Sequence, residues 1–291
     1  MGRVHVLRLD LAGGAAPGNK WFKLQPYLAL ARARGVRRLV SFGGPWSNHL
    51  HALAAIGRQE GFETIGIVRG ETPTAMLEDA AGWGMRILRL DREEYRRRND
   101  PPWLDGLASR LDPCLVIPEG GGGSEGVRGC LEIARMIRER MPPPARVVLA
   151  VGTATTLAGV AAGLGAGYRV TGVAALKGAA DLGQRVVEVL AASGLSATVP
   201  WEILHDYHCG GFARADAGLK AFLNEFERIH GIPLEPVYTG KAMYTVHRML
   251  RIGPGGDGVP VVVIHTGGLQ GRRGYRWLTP AAKLRSPGGT P

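Results

Sequence analysis

The segment Arg146-Val147-Val148-Leu149-Ala150-Val151, followed at once by Gly152-Thr153-Ala154-Thr155-Thr156-Leu157-Ala158-Gly159, decides the fold of this chain. Its first half is a nearly continuous apolar run rich in valine, as in a strand that is buried on both faces. Its second half carries glycine, then small and hydroxyl residues that can open a helix. An apolar strand that passes directly into a helix is typical of a parallel sheet covered by helices, so the segment predicts an α/β protein.

The same alternation of strand and helix continues along the chain. The predicted strands are Val4–Leu9, Arg38–Phe42, Thr64–Val68, Arg86–Leu90, Leu115–Pro118, Arg146–Val151, Arg169–Ala174, Trp201–Leu204 and Val259–His265. The predicted helices are Asn48–Gly61, Pro73–Gly82, Ser124–Arg140, Thr156–Leu164, Ala179–Ala192, Ala213–His230 and Gly240–Arg251. A further helix is expected after Lys20, which we expect Pro26 to kink or shorten. The pattern favours open, mostly parallel sheets flanked by helices.

Composition is that of a soluble globular protein, with 45% hydrophobic and 21% charged residues in a chain of 291. No apolar run approaches the roughly 20 residues of a membrane span, and the first residues show no secretory signal. Cys114, Cys130 and Cys209 are odd in number and lack metal-type spacing, which indicates reduced thiols. We therefore expect a cytoplasmic protein that has no membrane partner.

The formal net charge of +11 raises the question of nucleic acid. Much of the excess lies in Arg92–Arg98, where acidic residues are interspersed and Tyr95 is the one aromatic residue. No nucleic-acid motif accompanies the charge, so a solvated surface or attraction of small anionic ligands is favoured. A nucleic-acid binder with no catalytic function is the alternative from another class.

Residues Gly152, Thr153, Ala154, Thr155 and Thr156 form a candidate anion site. Backbone N–H groups and hydroxyls at a helix N-terminus attract negative charge. The order of these residues matches neither the dinucleotide-binding pattern nor a P-loop, so the site suits a single phosphate monoester better. An ordinary threonine-capped helix is the alternative interpretation.

Lysine is scarce, with six lysines against 30 arginines, yet Lys20 and Lys23 lie three residues apart. Only an amine can lose its proton near neutral pH and condense with a carbonyl, because guanidinium stays charged. The pair therefore indicates a Schiff-base lysine followed by a lysine that holds an anion. The alternative is a basic first turn on an exposed helix.

Ser47, Asn48 and His49 follow a second strand and the pair Gly43-Gly44. Asn48 is a candidate donor to a ring oxygen of a flat ligand and Ser47 can present a hydroxyl to a substrate, although either can merely cap a helix. His49 and His51 lack an evident third ligand, so no metal site is predicted.

Two threonines are possible partners for a heteroaromatic nitrogen: Thr239 follows Tyr238 at a helix start, and Thr266 closes the last strand. Glycines also mark the ends of several strands, at Gly43-Gly44, Gly120–Gly123, Gly152 and Gly267-Gly268. In open α/β sheets such turns gather at the carboxyl ends of strands, so one shared ligand crevice is expected.

Together these motifs resemble the 1-aminocyclopropane-1-carboxylate deaminase / D-cysteine desulfhydrase family. The motifs that carry the resemblance, in family order, are Gly18-Asn19-Lys20-x-x-Lys23, Gly43-Gly44-x-x-Ser47-Asn48-His49, Gly152–Thr156, Tyr238-Thr239-Gly240-Lys241 and His265-Thr266-Gly267-Gly268. The resemblance implies a pyridoxal-phosphate enzyme of the tryptophan-synthase-β fold (fold type II), covering Arg3 to Arg276. It also implies a homodimer that acts on a small amino acid.

The resemblance implies a role for each matching residue. Lys20 would bind the cofactor covalently and shuttle protons, Lys23 would approach the phosphate, and Asn48 would bond the phenolic oxygen. Gly152, Thr153, Ala154, Thr155 and Thr156 would hold the phosphate. Ser47 and His49 would line the carboxylate side of the substrate, Tyr238 would face the reacting carbon, and Thr239 and Thr266 would lie near the cofactor ring. A large domain of residues 1–36 and 134–291 and a small domain of residues 37–133 would enclose the cofactor.

Two departures from the family pattern bear on the reaction. Thr239 stands where ring-opening deaminases carry glutamate, which favours D-cysteine desulfhydrase-like α,β-elimination to a 2-oxo acid and ammonia. Phe212 stands where the family usually has a second tyrosine, which removes a candidate acid/base group. A ring-opening deaminase and a catalytically impaired cofactor-binding protein are therefore the alternatives.

Overall fold

Nine strands form two separate sheets in the part of the chain that the computed structural model describes, residues 4–252 and 258–278. The strands are β1 (Val4–Arg8), β2 (Arg38–Gly43), β3 (Glu63–Arg69), β4 (Arg86–Leu90), β5 (Leu115–Ile117), β6 (Ala145–Val151), β7 (Tyr168–Ala174), β8 (Trp201–Leu204) and β9 (Val261–His265). The five-stranded sheet has the order β1-β9-β6-β7-β8 and the four-stranded sheet the order β4-β3-β2-β5. Every strand pair is parallel, which confirms the predicted α/β class.

Ten α-helices cover the two sheets within the same described residues. They are α1 (Asn19–Ala33), α2 (Asn48–Glu60), α3 (Ala75–Gly82), α4 (Arg92–Arg96), α5 (Pro101–Leu111), α6 (Gly123–Arg140), α7 (Thr155–Gly163), α8 (Leu182–Ala192), α9 (Ala217–His230) and α10 (Thr239–Ile252). α4 and α5 were not predicted. α1 continues from Asn19 through Pro26 to Ala33, so the proline does not shorten it.

The apolar cores follow the two sheets. β6 and β7 lie at the centre of the large sheet, and their valines and leucines are buried between helices on both faces, as expected for parallel strands. The smaller sheet has its own clusters around Val40, Phe42 and Leu53. None of the described helices is long and apolar enough to cross a membrane.

The proposed domain boundary between Ile133 and Ala134 falls inside the continuous helix α6. Val127, Cys130 and Ile133 on one side of that position and Ile137 on the other pack in the same cluster beneath the large sheet. α6 as a whole therefore packs with the large sheet. The division of the chain into two domains stays a prediction.

Candidate active site

Lys20 and Lys23 lie on the first turn of α1, and both amines donate to the same backbone oxygen. Lys20 Nζ is 3.0 Å and Lys23 Nζ 3.3 Å from the carbonyl oxygen of Gly120. Lys23 is 1% exposed, so the two lysines do not form a basic turn on an exposed helix. Burial, reinforced by the charge of Lys23, lowers the pKa of Lys20 well below its usual value. The neutral amine that carbonyl chemistry needs is thereby favoured.

The start of α1 is tied to the end of β9 through backbone contacts. Gly18 forms an isolated bridge with Gly267, and Asn19 N donates to Thr266 O over 3.0 Å. Gly18 has a φ of 121°, and a Cβ atom there would lie 2.5 Å from Thr266 O. Only glycine allows the two backbone segments to approach so closely. Their contact brings the buried Thr266 beside the lysine turn.

The glycine turn after β5 lies between the lysines and the loops of both sheets. A Cβ atom on Gly120 would lie 3.1 Å from Thr153 Cγ2 and 3.7 Å from Lys20 Nζ. One on Gly121 would lie 3.2 Å from Lys23 Cβ and 3.4 Å from His49 Cε1. Side chains at these glycines would fill the space between the two sheets, so the glycines keep a narrow crevice open.

The residues of the predicted anion site lie at the N-terminus of α7. Ala154 precedes the helix in the left-handed conformation at φ 66°, which is unusual for alanine and typical of functional turns. Thr156 Oγ1 accepts from Asn19 Nδ2 over 3.0 Å, which ties α7 to the lysine turn. The first turn of α7 has no side-chain cap. Thr155 N donates to Thr153 O over 2.8 Å, which leaves the N–H groups that follow it as candidate donors to an anion.

Ser47 and Asn48 begin α2 and differ in their contacts. Ser47 Oγ accepts from Leu50 N over 3.2 Å and is the N-cap of the helix. Asn48 Oδ1 accepts from Gln270 Nε2 over 3.0 Å, which leaves the amide nitrogen as the free donor. That nitrogen lies against Gly268, where a Cβ atom would be 2.7 Å away. Asn48 therefore joins the loops after β2 and β9 and has a donor left for a ligand.

Hydrogen bonds assign the tautomer of the buried imidazole of His49. Ser41 Oγ donates its only proton to Ile117 O, 2.7 Å away, and lies 2.8 Å from His49 Nε2. Nε2 must therefore carry the proton, and Nδ1 keeps a lone pair for which the described residues provide no partner. Burial and the two nearby lysines lower the pKa of His49 well below its usual value, so the ring is neutral.

The second histidine of this helix, His51, points elsewhere. Its Nε2 lies 3.0 Å from Asp79 Oδ2, and Asp79 is also bonded by Arg273. His49 and His51 thus have separate partners. The described residues contain no group of three histidine, cysteine, aspartate or glutamate side chains that is placed to hold a metal ion.

The first turn of α10 is organised by Glu235, a residue that the sequence did not single out. Its carboxylate accepts from the backbone N–H groups of Val237, Tyr238 and Thr239 over 2.7, 2.7 and 2.6 Å. Burial raises the pKa of Glu235, while these three donors oppose the rise. The hydroxyl of Thr239 stays within its own turn, where it accepts from Glu235 N over 3.0 Å.

Tyr238 lies over the turn that precedes α7. Gly152 permits this approach, because a Cβ atom there would lie 3.0 Å from Tyr238 Cε1. Phe212 meets Tyr238 edge to face, with ring centroids 6.3 Å apart, and is 50% exposed. The tyrosine side chain is thereby held between the anion site and an aromatic ring.

Part of the arginine cluster supports the glycine turn. Arg98 Nε is 2.7 Å from Glu119 Oε2, and Tyr95 Oη is 2.9 Å from Glu119 Oε1. Glu119 directly precedes Gly120, whose oxygen accepts from both lysines. Arg98 is thus engaged in an ion pair within the protein. Sequence reasoning missed Glu119, since an isolated glutamate carries no spacing signal.

The glycine turns after β5, β6 and β9, the lysine turn and the starts of α2 and α10 therefore lie around one candidate crevice. A family model described as pyridoxal-phosphate dependent enzyme matches residues 11–267. The chain belongs to this family. The cofactor of the enzyme is therefore pyridoxal phosphate, as predicted.

Individual members of the family resemble the chain over nearly its whole length. D-cysteine desulfhydrase of Salmonella choleraesuis is 30% identical over 284 residues, which cover 91% of this chain and 86% of the relative. The crystal structure of an ACC deaminase homologue is 26% identical with a TM-score of 0.79, and covers 93% of this chain and 86% of that one. A fungal L-serine ammonia-lyase from Rhizomucor miehei, 19% identical with a TM-score of 0.63 and covering 94% and 93%, shares the fold. These findings confirm the family resemblance and the predicted fold type.

The residues of the crevice fit pyridoxal phosphate. Lys20 offers an amine of lowered pKa to the aldehyde, and the free N–H groups of α7 suit a phosphate monoester. The spare amide donor of Asn48 suits a phenolic oxygen. The buried lone pair of His49 is an acceptor that no described residue satisfies, and a ligand can satisfy it. The individual roles assigned to these side chains stay predictions.

Proposed function

We propose that this enzyme is a lyase that catalyses D-cysteine desulfhydrase-like α,β-elimination on a small amino acid. Thr239 carries the proposal, because α10 begins with a hydroxyl where an acid would keep the ring nitrogen of the cofactor protonated. Glu235, the acid of this turn, has both oxygens engaged by backbone N–H groups. Elimination tolerates a weaker electron sink, since the departing group takes the charge.

Lys20 is the group that moves protons in this proposal. Bound pyridoxal phosphate supplies electron withdrawal from the α-carbon of the amino acid. The Lys20 amine, of lowered pKa, would hold the cofactor covalently and would accept the α-proton of the bound amino acid. Burial and the neighbouring charge of Lys23 lower the pKa of Lys20, so the amine is a neutral base when it is not bonded to the cofactor.

The remaining crevice residues bind and orient in this proposal. The first turn of α7 holds the phosphate, and Lys23 stabilises negative charge nearby. The start of α2, with the Ser47 hydroxyl, suits the substrate carboxylate. His49 presents a lone pair at Nδ1, so it suits a hydrogen-bond donor such as the substrate ammonium rather than the carboxylate that the family resemblance implies. Tyr238, whose pKa is raised by burial, remains a protonated phenol beside the reacting carbon.

The net reaction is balanced with water as the only co-reactant. The α-proton leaves to Lys20, and the bond between the β-carbon and sulfur breaks with both electrons on the thiolate. Hydrolysis of the resulting unsaturated amino acid then replaces nitrogen by oxygen. D-cysteine and water thus give pyruvate, ammonia and hydrogen sulfide.

A ring-opening deaminase is the second candidate, favoured by the structural similarity to the ACC deaminase homologue. It would convert 1-aminocyclopropane-1-carboxylate to 2-oxobutyrate and ammonia. A protein that binds the cofactor without turnover is the third, suggested by Phe212. A homodimer, which the family resemblance supports, and a cytoplasmic location, which the three free cysteines support, complete the proposal.

Product analysis with purified enzyme tests the proposal. D-cysteine, L-cysteine and 1-aminocyclopropane-1-carboxylate are each incubated with the enzyme, and sulfide and 2-oxo acids are measured. Sulfide and pyruvate in equal amounts from D-cysteine are expected. Release of 2-oxobutyrate without sulfide would favour the deaminase instead, and no 2-oxo acid from any amino acid in a wider panel would favour the protein without turnover.

A further inference from the structure

Lys241 is a buried cation that the proposed mechanism does not use. It lies on the first turn of α10 and is 0% exposed. Its amine donates to Ala175 O over 2.9 Å and to Gly211 O over 2.7 Å. No carboxylate among the described residues lies within ion-pair distance of it, and burial lowers its pKa to about 8. A buried lysine with only carbonyl partners is costly, which indicates that those two contacts have a function.

The two carbonyls belong to segments on opposite sides of the α10 start. Ala175 directly follows β7 and continues its pairing, because its N–H donates to Val151 O over 3.0 Å. Gly211 lies in the loop 207–214 between β8 and α9, which we call the aromatic loop. Lys241 thus joins this loop to the carboxyl end of β7 in the large sheet.

The aromatic loop is strained and depends on contacts from outside. Cys209, Gly210, Gly211 and Ala213 have positive φ values of 49°, 94°, 109° and 58°, two of them at residues with a Cβ atom. A second hydrogen bond holds the loop from outside, since the hydroxyl of Tyr275 donates to Ala213 O over 3.0 Å. Such a conformation persists only where its surroundings enforce it.

Phe212 is the side chain that this loop presents. It follows the carbonyl held by Lys241, and its half-exposed ring meets Tyr238. Tyr238 and Lys241 are three residues apart at the start of α10. The amine that fixes the loop and the tyrosine that the loop contacts are therefore held by the same helical turn.

We propose that Lys241 is a positioning residue, which fixes the aromatic loop so that Phe212 forms an apolar wall of the substrate site beside Tyr238. This inference rests on the proposed function in one respect only, namely that a substrate binds next to Tyr238. The position of the loop is a property of the protein itself and can be measured without turnover.

Amide hydrogen exchange of the cofactor-loaded protein is the first test. Lys241→Met removes the amine, and with it both hydrogen bonds, while it keeps a side chain of similar length. Exchange of the amides in the aromatic loop is expected to accelerate by roughly tenfold or more, as local opening becomes easier. Lys177→Met is the matched control, because Lys177 is exposed and its Cβ lies near the same loop, 3.3 Å from where a Cβ atom of Gly211 would be. The control is expected to exchange as the wild type does.

Steady-state kinetics is the second test. Lys241→Met is expected to raise KM about tenfold with less than threefold change in kcat, since the wall affects binding more than proton transfer. Phe212→Ala should raise KM similarly, and the double variant should be no worse than the worse single variant, because both changes remove one wall. If Lys241→Met does not fold, Tyr275→Phe removes the hydrogen bond to Ala213 O instead. It should raise the exchange rate of the aromatic loop and KM in the same way, but by less.

The outcomes separate this inference from the proposed function. Unchanged exchange in the aromatic loop, or acceleration spread equally over α10 and β7, would overturn the role of Lys241. Additive KM effects in the double variant would overturn the link to Phe212. A wild-type protein that turns over no amino acid would sink the proposed function, while the exchange experiment would still decide whether Lys241 positions the loop.

Discussion

Replacing Glu235 with alanine tests how the start of α10 is held in place. The carboxylate accepts three backbone N–H groups, and each such bond contributes about 1 kcal/mol net. Its burial works in the opposite direction, because the raised pKa shows that the charge is partly desolvated. Loss of three bonds costs about 3 kcal/mol, removal of the desolvated charge recovers about 1 kcal/mol, and lost packing costs about 1 kcal/mol, which gives a destabilisation of about 3 kcal/mol.

Asp216→Ala provides the matched control. Asp216 is the exposed N-cap of α9, and its side chain accepts a single N–H group, from Leu219 over 2.8 Å. Loss of an exposed cap costs about 1 kcal/mol. Urea unfolding of both variants and the wild type, at one saturating concentration of pyridoxal phosphate, gives the free energies of unfolding. A Glu235→Ala variant no less stable than the Asp216→Ala variant would refute the reasoning.

Three further predictions concern single sites. Gly18→Ala places a Cβ atom 2.5 Å from Thr266 O at a φ of 121°, and we expect it to lower the free energy of unfolding by more than about 2 kcal/mol in urea. Burial lowers the pKa of Lys241 from 10.5 to about 8, so the unfolded state holds more protons between those pH values. The free energy of unfolding of the wild type should therefore rise with pH in this window relative to Lys241→Met, by up to about 3 kcal/mol. Urea unfolding at several pH values measures this, and parallel curves for the two proteins would contradict it. Phe212→Tyr restores a phenolic proton beside Tyr238, and kcat for D-cysteine is expected to rise at least tenfold, whereas a value at or below the wild type would show that no proton is needed there.

Local sequence patterns predicted most of the fold because buried parallel strands are nearly continuous apolar runs. Val147–Val151 and Val262–Ile264 lie at the centre of the large sheet and are recognisable from composition alone. α4 was missed because the segment Arg92–Arg96 is dominated by charge. α5 was missed although Trp103, Leu107 and Leu111 recur at helical spacing. The pair Pro101-Pro102 was available as a signal, since proline is favoured in the first turn of a helix.

The candidate site was predictable where residue type limits the chemistry and unpredictable where tertiary contacts do. Lys20 could be singled out because few side chains condense with an aldehyde. Glu235 and Glu119 could not be, because an isolated glutamate becomes informative only once its burial or its partners are known. The tautomer of His49 follows from its contact with Ser41, which lies eight residues earlier on β2, the strand that precedes α2. No spacing rule indicates that contact.

The visible absorption spectrum of the purified protein tests the central claim, that Lys20 holds pyridoxal phosphate and acts on an amino acid. The wild type should show the band of lysine-bound cofactor, which changes when D-cysteine is added. Lys20→Ala should lose this band and all turnover, while Lys177→Ala, which changes an exposed lysine, should keep both. A Lys20→Ala protein that retains the band and releases sulfide from D-cysteine would contradict the account.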